Sequence, residues 1–72
     1  MGSKYPILKP TEIIKCLEKF GFKFKSQKGS NVKYTNGNKI TIIPMHDEVA
    51  KGTLKSILEL ADIPLEEFLK KL

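Results

Sequence analysis

The first periodic stretch runs from Pro10 to Phe20, where Ile13, Ile14, Leu17 and Phe20 return at helical spacing and make one apolar stripe. Pro10 suits the first helical position, Thr11 and Glu12 favour an N-terminus, and Gly21 supplies the stop. The period then changes. In Phe22-Lys23-Phe24-Lys25-Ser26-Gln27, apolar or small residues alternate with polar ones, which predicts a half-buried strand. Gly29-Ser30 turns the chain, and Val32-Lys33-Tyr34-Thr35 alternates again. Asn36-Gly37 is a strong hairpin signal, because both residues tolerate positive φ. Lys39 to Ile43 predicts a third strand, ended by Pro44. Leu54, Ile57, Leu58 and Ala61 repeat the spacing of the first helix. A short last helix opens at Pro64, with Glu66 and Glu67 in its first turn and Lys70 and Lys71 in its last, in the order that complements a helix dipole.

The predicted order is α-β-β-β-α-α. This is an α+β fold with a three-stranded antiparallel sheet and both amphipathic helices on one face, because a single layer buries too little apolar surface. The expected core is Ile13, Leu17, Phe20, Phe22, Phe24, Val32, Tyr34, Ile40, Ile42, Leu54, Ile57, Leu58 and Phe68. Side chains alternate across a strand, so parity assigns faces. With Phe22, Phe24, Val32, Tyr34, Ile40 and Ile42 inward, the open face collects Lys23, Lys25, Gln27, Asn31, Lys33, Thr35, Lys39 and Thr41.

Length and composition narrow the class. Seventy-two residues read as one domain over 1–72, with Met1-Gly2-Ser3 as a cloning remnant. A chain 40% hydrophobic and 29% charged is an ordinary globule rather than a disordered segment. The single Cys16 excludes an internal disulfide and predicts a reducing, cytoplasmic setting, with the thiol acting as a small buried hydrophobe. No apolar run reaches membrane-spanning length and no signal peptide is expected.

Charge changes the picture. The net charge is +5, and all thirteen cations are lysine. Between Glu18 and Asp47 lie six lysines (Lys19, Lys23, Lys25, Lys28, Lys33, Lys39) and no carboxylate, the footprint of a polyanion site and usually of nucleic acid. Lysine attracts phosphate as a point charge rather than a fork, so a nucleic-acid backbone is the expected target. The bland alternative is a solvated strand face in a lysine-rich protein; against it, charged positions elsewhere in the chain are mixed in sign. A second phosphate candidate is Lys51-Gly52-Thr53-Leu54, which opens a helix and places free N–H groups beside Lys51, Lys55 and the Thr53 hydroxyl. Gly-Thr is also a common capping pair, the commoner role if taken alone. His46, the only histidine, either shapes the loop after Pro44 or becomes an auxiliary phosphate ligand if that loop folds back toward Asn31. One histidine and one cysteine on different elements give no metal ligand set, and no cofactor is expected.

Taken in order and spacing, Gly29-Ser30, Pro44-Met45-His46, Gly52-Thr53-Leu54, Ile57-Leu58, Ala61 and Glu67-Phe68 resemble the HicA toxins. These are small RNA-cleaving proteins of bacterial and archaeal toxin–antitoxin systems, with a fold like the double-stranded-RNA-binding domain. The likeness covers the chain from Thr11 onward. It implies a metal-independent endoribonuclease that degrades mRNA and so blocks translation, with an acidic HicB-type antitoxin as protein partner. It also implies a catalytic histidine directly after Gly-Ser, and that position is Asn31. An amide hydrogen-bonds in a similar volume but does not titrate, and loss of an acid–base group costs on the order of 10²–10⁴ in rate. The expectation is a disabled toxin, through either an engineered change or natural descent into a binding module. Lys23, Lys25, Lys28, Gly29, Ser30, Lys33, Lys51 and Thr53 are its candidate RNA-binding residues. The competing expectations are a non-catalytic double-stranded-RNA-binding module and a purely protein-binding domain.

Overall fold

The computed structural model describes residues 5–72, so Met1-Gly2-Ser3 lies outside the described residues. The elements are α1 (Pro10–Lys19), β1 (Lys23–Lys28), β2 (Asn31–Thr35), β3 (Ile40–Pro44), α2 (Lys51–Ala61) and α3 (Leu65–Lys71). This is the expected α+β order. Pro10 opens α1, and the Glu12 carboxylate accepts from the Lys9 N–H at 2.9 Å, satisfying one of the free donors at that end. Gly21, at φ +89°, ends the helix in the left-handed region.

The strands form one antiparallel sheet in the order β1-β2-β3. Its register follows from two turns of even length. Gly29-Ser30, with Gly29 at φ +61°, closes on the pair Lys28–Asn31. The loop 36–39 closes on Thr35–Ile40. In that loop only Gly37 has positive φ, and Asn36 acts through its side chain instead. Its Oδ1 accepts from the Asn38 and Lys39 N–H groups at 2.9 and 2.7 Å. The Thr35 hydroxyl accepts from the Gly37 N–H at 3.0 Å and donates to the Lys39 carbonyl at 2.8 Å.

An even loop pairs odd residues with even ones, and this corrects the expected faces of β3. Thr41 and Ile43 pair with Tyr34 and Val32 and are 0% exposed, whereas Ile40 and Ile42 point outward at 44% and 38%. The buried Thr41 hydroxyl is satisfied by donating to the Ile57 carbonyl in α2 at 2.7 Å. In β1 a bulge at Lys25 shifts the register between Phe24 and Ser26. Gln27 therefore lies opposite Val32 on the helix side, not on the open face. Phe24 pairs with Tyr34 but lies at the sheet margin, 58% exposed, with its ring edge-on to Tyr34 at 6.0 Å. Lys39 is in the loop before β3, and Phe20 is half-buried.

The helices cover the other face. Ile13 and Leu17 from α1, Leu54, Ile57, Leu58 and Ala61 from α2, and Phe68 from α3 meet Val32, Tyr34 and Ile43 in one buried cluster. Leu8, Val49 and Ile63 complete it without having been expected, and a bond from the Val49 N–H to the Leu8 carbonyl at 2.8 Å ties the two flanking loops together. The Cys16 thiol donates to the Phe68 carbonyl at 3.3 Å, and the Lys19 ammonium donates to the Lys71 carbonyl at 2.8 Å, fixing α3 against α1. Among the described residues no helix is long and apolar enough to cross a membrane.

Thr41→Ala should destabilise the fold by about 1–2 kcal/mol in urea unfolding, because it removes a buried hydrogen bond and its methyl. Ile42→Thr should change it by less than about 0.5 kcal/mol, as expected of a surface site; the opposite ranking would reject the register. Burial pushes the Cys16 thiol above its ordinary value of 9.0, outweighing the nearby Lys19 and Lys71 ammonium groups. The unfolded thiol therefore ionises first. Its contribution to stability is complete below about pH 9 and is lost as pH rises through the folded value. A disulfide reagent at pH 8 should label Cys16 far faster in urea than in the native protein.

Candidate nucleic-acid interface

Cross-strand partners share a face, so the register builds the outer surface row by row. Lys23, Thr35 and Ile40 form one row; Ser26, Lys33 and Ile42 the next; Lys28, Asn31 and Pro44 the last. The face is graded: lysines on β1, polar groups and one lysine on β2, apolar side chains on β3. None of these rows contains a carboxylate.

The last row is where the chain folds back. The Met45 N–H donates to the Ser30 carbonyl at 2.7 Å, extending the β2–β3 ladder one step past Pro44. That bond makes Asn31–Pro44 a non-hydrogen-bonded pair, the class in which side chains lie closer. It also points the missing proline N–H toward the free edge of the sheet, where it costs no ladder bond. The Gln27 amide donates to the Gly29 carbonyl at 3.1 Å and stiffens the facing turn. Together the turn and the loop enclose a surface groove of about 520 Å³, lined by Lys28, Gly29, Ser30, Asn31, Lys33, Ile42 and His46.

Six of the residues singled out from sequence are thus brought together, with Asn31 exposed among them. The other candidates do not line the groove. Lys23 lies four residues along the sheet, roughly 13 Å away at ~3.3 Å per residue. Lys25 occupies the bulge. Lys51 and Thr53 belong to the first turn of α2, on a helix that packs against the opposite face. Ala50 is the N-cap there and no side chain caps the helix, so the capping role expected of Gly-Thr is corrected. Ile42 is the groove residue that sequence reasoning missed. The signal for it was the even length of the β2–β3 loop, which turns Ile42 to the face of Lys33. Among the described residues no three histidine, cysteine or acidic side chains stand close enough to hold a metal ion.

The groove offers a bound anion two ammonium groups, a hydroxyl, an amide and one imidazole, with Ile42 as an apolar wall. A polyanion threaded through it would be held by charge at Lys28 and Lys33 and by hydrogen bonds at Asn31. A family model described as HicA toxin of bacterial toxin-antitoxin matches residues 10–63, a span that includes the whole groove. A comparison with curated proteins finds no match.

Proposed function

The chain belongs to the HicA toxin family, and from that premise we propose that the groove is a ribonuclease site for mRNA whose chemistry is disabled at Asn31. A toxin of this kind has a cognate antitoxin. What carries the reading is the convergence of Asn31, Lys28, Lys33 and His46 on one open groove.

The reaction needs no metal. A base at position 31 takes the ribose 2′-hydroxyl proton, the 2′-oxygen attacks the adjacent phosphorus, and the lysines neutralise the charge that builds on the phosphoryl oxygens. An imidazole exchanges protons near neutral pH and an amide does not. In this chain Asn31 therefore hydrogen-bonds the ribose without activating it, and the groove binds RNA with little or no cleavage. The site acts in the cytoplasm, where mRNA is translated. Lys23, Lys25 and Lys51 contribute at most to the long-range field that attracts the polyanion, and the uncharged Thr53, outside the groove, has no part in it. A non-catalytic RNA-binding module is the second reading, and the same amide favours it.

The antitoxin is an acidic, HicB-type protein that covers the outer sheet face. Ile40 and Ile42 support this: a phosphodiester backbone makes no use of exposed isoleucine, whereas a protein partner buries it while pairing its carboxylates with Lys28 and Lys33.

Asn31→His, expressed without antitoxin, should arrest growth with RNA decay and should raise cleavage of an RNA oligonucleotide by roughly 10²–10⁴-fold in the presence of EDTA. Healthy cells and intact RNA would leave the binding module standing. Lys33→Ala should weaken RNA binding and flatten the dependence of log affinity on log salt by about 0.7. Ile40→Ser, outside the groove, should leave RNA affinity nearly unchanged but weaken the antitoxin complex on the order of tenfold by calorimetry.

A further inference from the structure

Cleavage by 2′-hydroxyl attack moves two protons. The 2′-oxygen loses one as it bonds to phosphorus, and the departing 5′-oxygen gains one as its bond to phosphorus breaks. Position 31 answers for the first transfer only. Resting on the ribonuclease reading above, we propose that His46 answers for the second: it is the proton donor to the leaving 5′-oxygen.

Three observations place His46 for this role. The β2–β3 register pairs Asn31 with Pro44, and the Met45–Ser30 bond at 2.7 Å carries the pairing one step further. His46 follows directly after that tether, in the bend where the chain leaves β3. His46 lines the groove beside Lys28, Asn31 and Lys33, and it is exposed, so a bound strand can reach its ring. It is also the only side chain lining the groove whose type exchanges protons near neutral pH.

The step balances. The O2′–P bond forms and the P–O5′ bond breaks. The 2′ proton goes to the base at position 31 in the Asn31→His variant, or to solvent in the chain with Asn31. The imidazolium of His46 gives its proton to O5′ and is reprotonated by water, leaving a 2′,3′-cyclic phosphate and a 5′-hydroxyl. Charged groups of both signs surround the ring. Lys28 and Lys33 line the groove with it. Beyond it, an adjoining hollow of about 390 Å³ is shared with Lys9 and Asp47, of opposite sign.

The test uses the full chain carrying Asn31→His, with and without His46→Gln. Two RNA oligonucleotides are compared: one ordinary, the other with sulfur in place of the 5′-oxygen at the scissile bond, a leaving group that needs no proton. On ordinary RNA, His46→Gln should lower kcat/KM by roughly 10²–10⁴-fold and abolish the fall in rate at alkaline pH. On the sulfur substrate the two proteins should differ by no more than a few-fold. Equal losses on both substrates, an unchanged alkaline limb, or no loss at all would overturn the assignment. RNA affinity measured by fluorescence anisotropy checks that the His46→Gln protein folds and binds. If Asn31→His alone fails to cleave, the ribonuclease reading falls and takes this one with it; if it cleaves and His46→Gln is harmless, only the role of His46 is lost.

Discussion

One hydrogen bond decides what the groove contains. By donating to the Ser30 carbonyl at 2.7 Å, the Met45 N–H holds the exit of β3 against the β1–β2 turn. Two segments separated by more than a dozen residues of sequence become adjacent walls, one contributing Lys28, Gly29, Ser30 and Asn31, the other His46. Without that bond the chain after Pro44 would be free to leave the sheet at once, and this end of the outer face would lose the wall that His46 supplies. The position of Pro44 makes the bond compatible with the ladder. Proline is tolerated there because its missing N–H falls at a non-hydrogen-bonded pair on an edge strand.

The elements themselves were legible from periodicity, since helical stripes and strand alternation depend only on neighbours along the chain. Faces depend on pairing, and there the simple parity rule failed at β3. Ile40-Thr41-Ile42-Ile43 carries too little alternation to orient itself, and hydrophobicity alone turns Ile40 and Ile42 inward. The turn carried the missing information. Any even-numbered hairpin loop joins odd residues to even ones, so Val32 and Tyr34 inward require Ile43 and Thr41 inward. The cost of burying the Thr41 hydroxyl is removed by the Ile57 carbonyl, a partner sixteen residues away that no local pattern reveals. The bulge at Lys25 was equally invisible, although it is what lets β1 present Phe24 toward Tyr34 at one end and Lys28 beside Asn31 at the other. Of the candidate site, the contiguous part was readable because a two-residue turn keeps Lys28 to Lys33 together. The contribution of His46 was readable only as an alternative, because it depends on how a loop returns.

The choice of charged residue fits a site that positions a backbone without reading a sequence. Lys28 and Lys33 can follow a phosphate along the groove on flexible stems, whereas arginine would fix it in a fork. On the proposed reading, directional chemistry would rest on the shorter groups, Asn31 and His46, whose anchoring differs. Asn31 is held in a strand between two paired neighbours, and His46 on a loop tethered through the residue before it. Substituting the amide for an imidazole therefore alters proton transfer while leaving the charge, the shape and the hydrogen-bonding reach of the groove nearly as they were.

The two edges of the sheet are unequal, and the inequality bears on regulation. β1 carries Lys23, Lys25, Lys28 and a bulge, the devices by which an edge strand resists further pairing. β3 has neither lysine nor bulge: it is Ile40-Thr41-Ile42-Ile43-Pro44, protected only by the missing N–H of Pro44, with Ile40 and Ile42 exposed beside the free edge. Ile42 belongs both to this apolar stripe and to the groove wall. A protein partner that buried the stripe would therefore also cover one wall of the groove. On the proposed reading, occlusion would follow from the position of a single residue, with no need for a change of conformation in this chain.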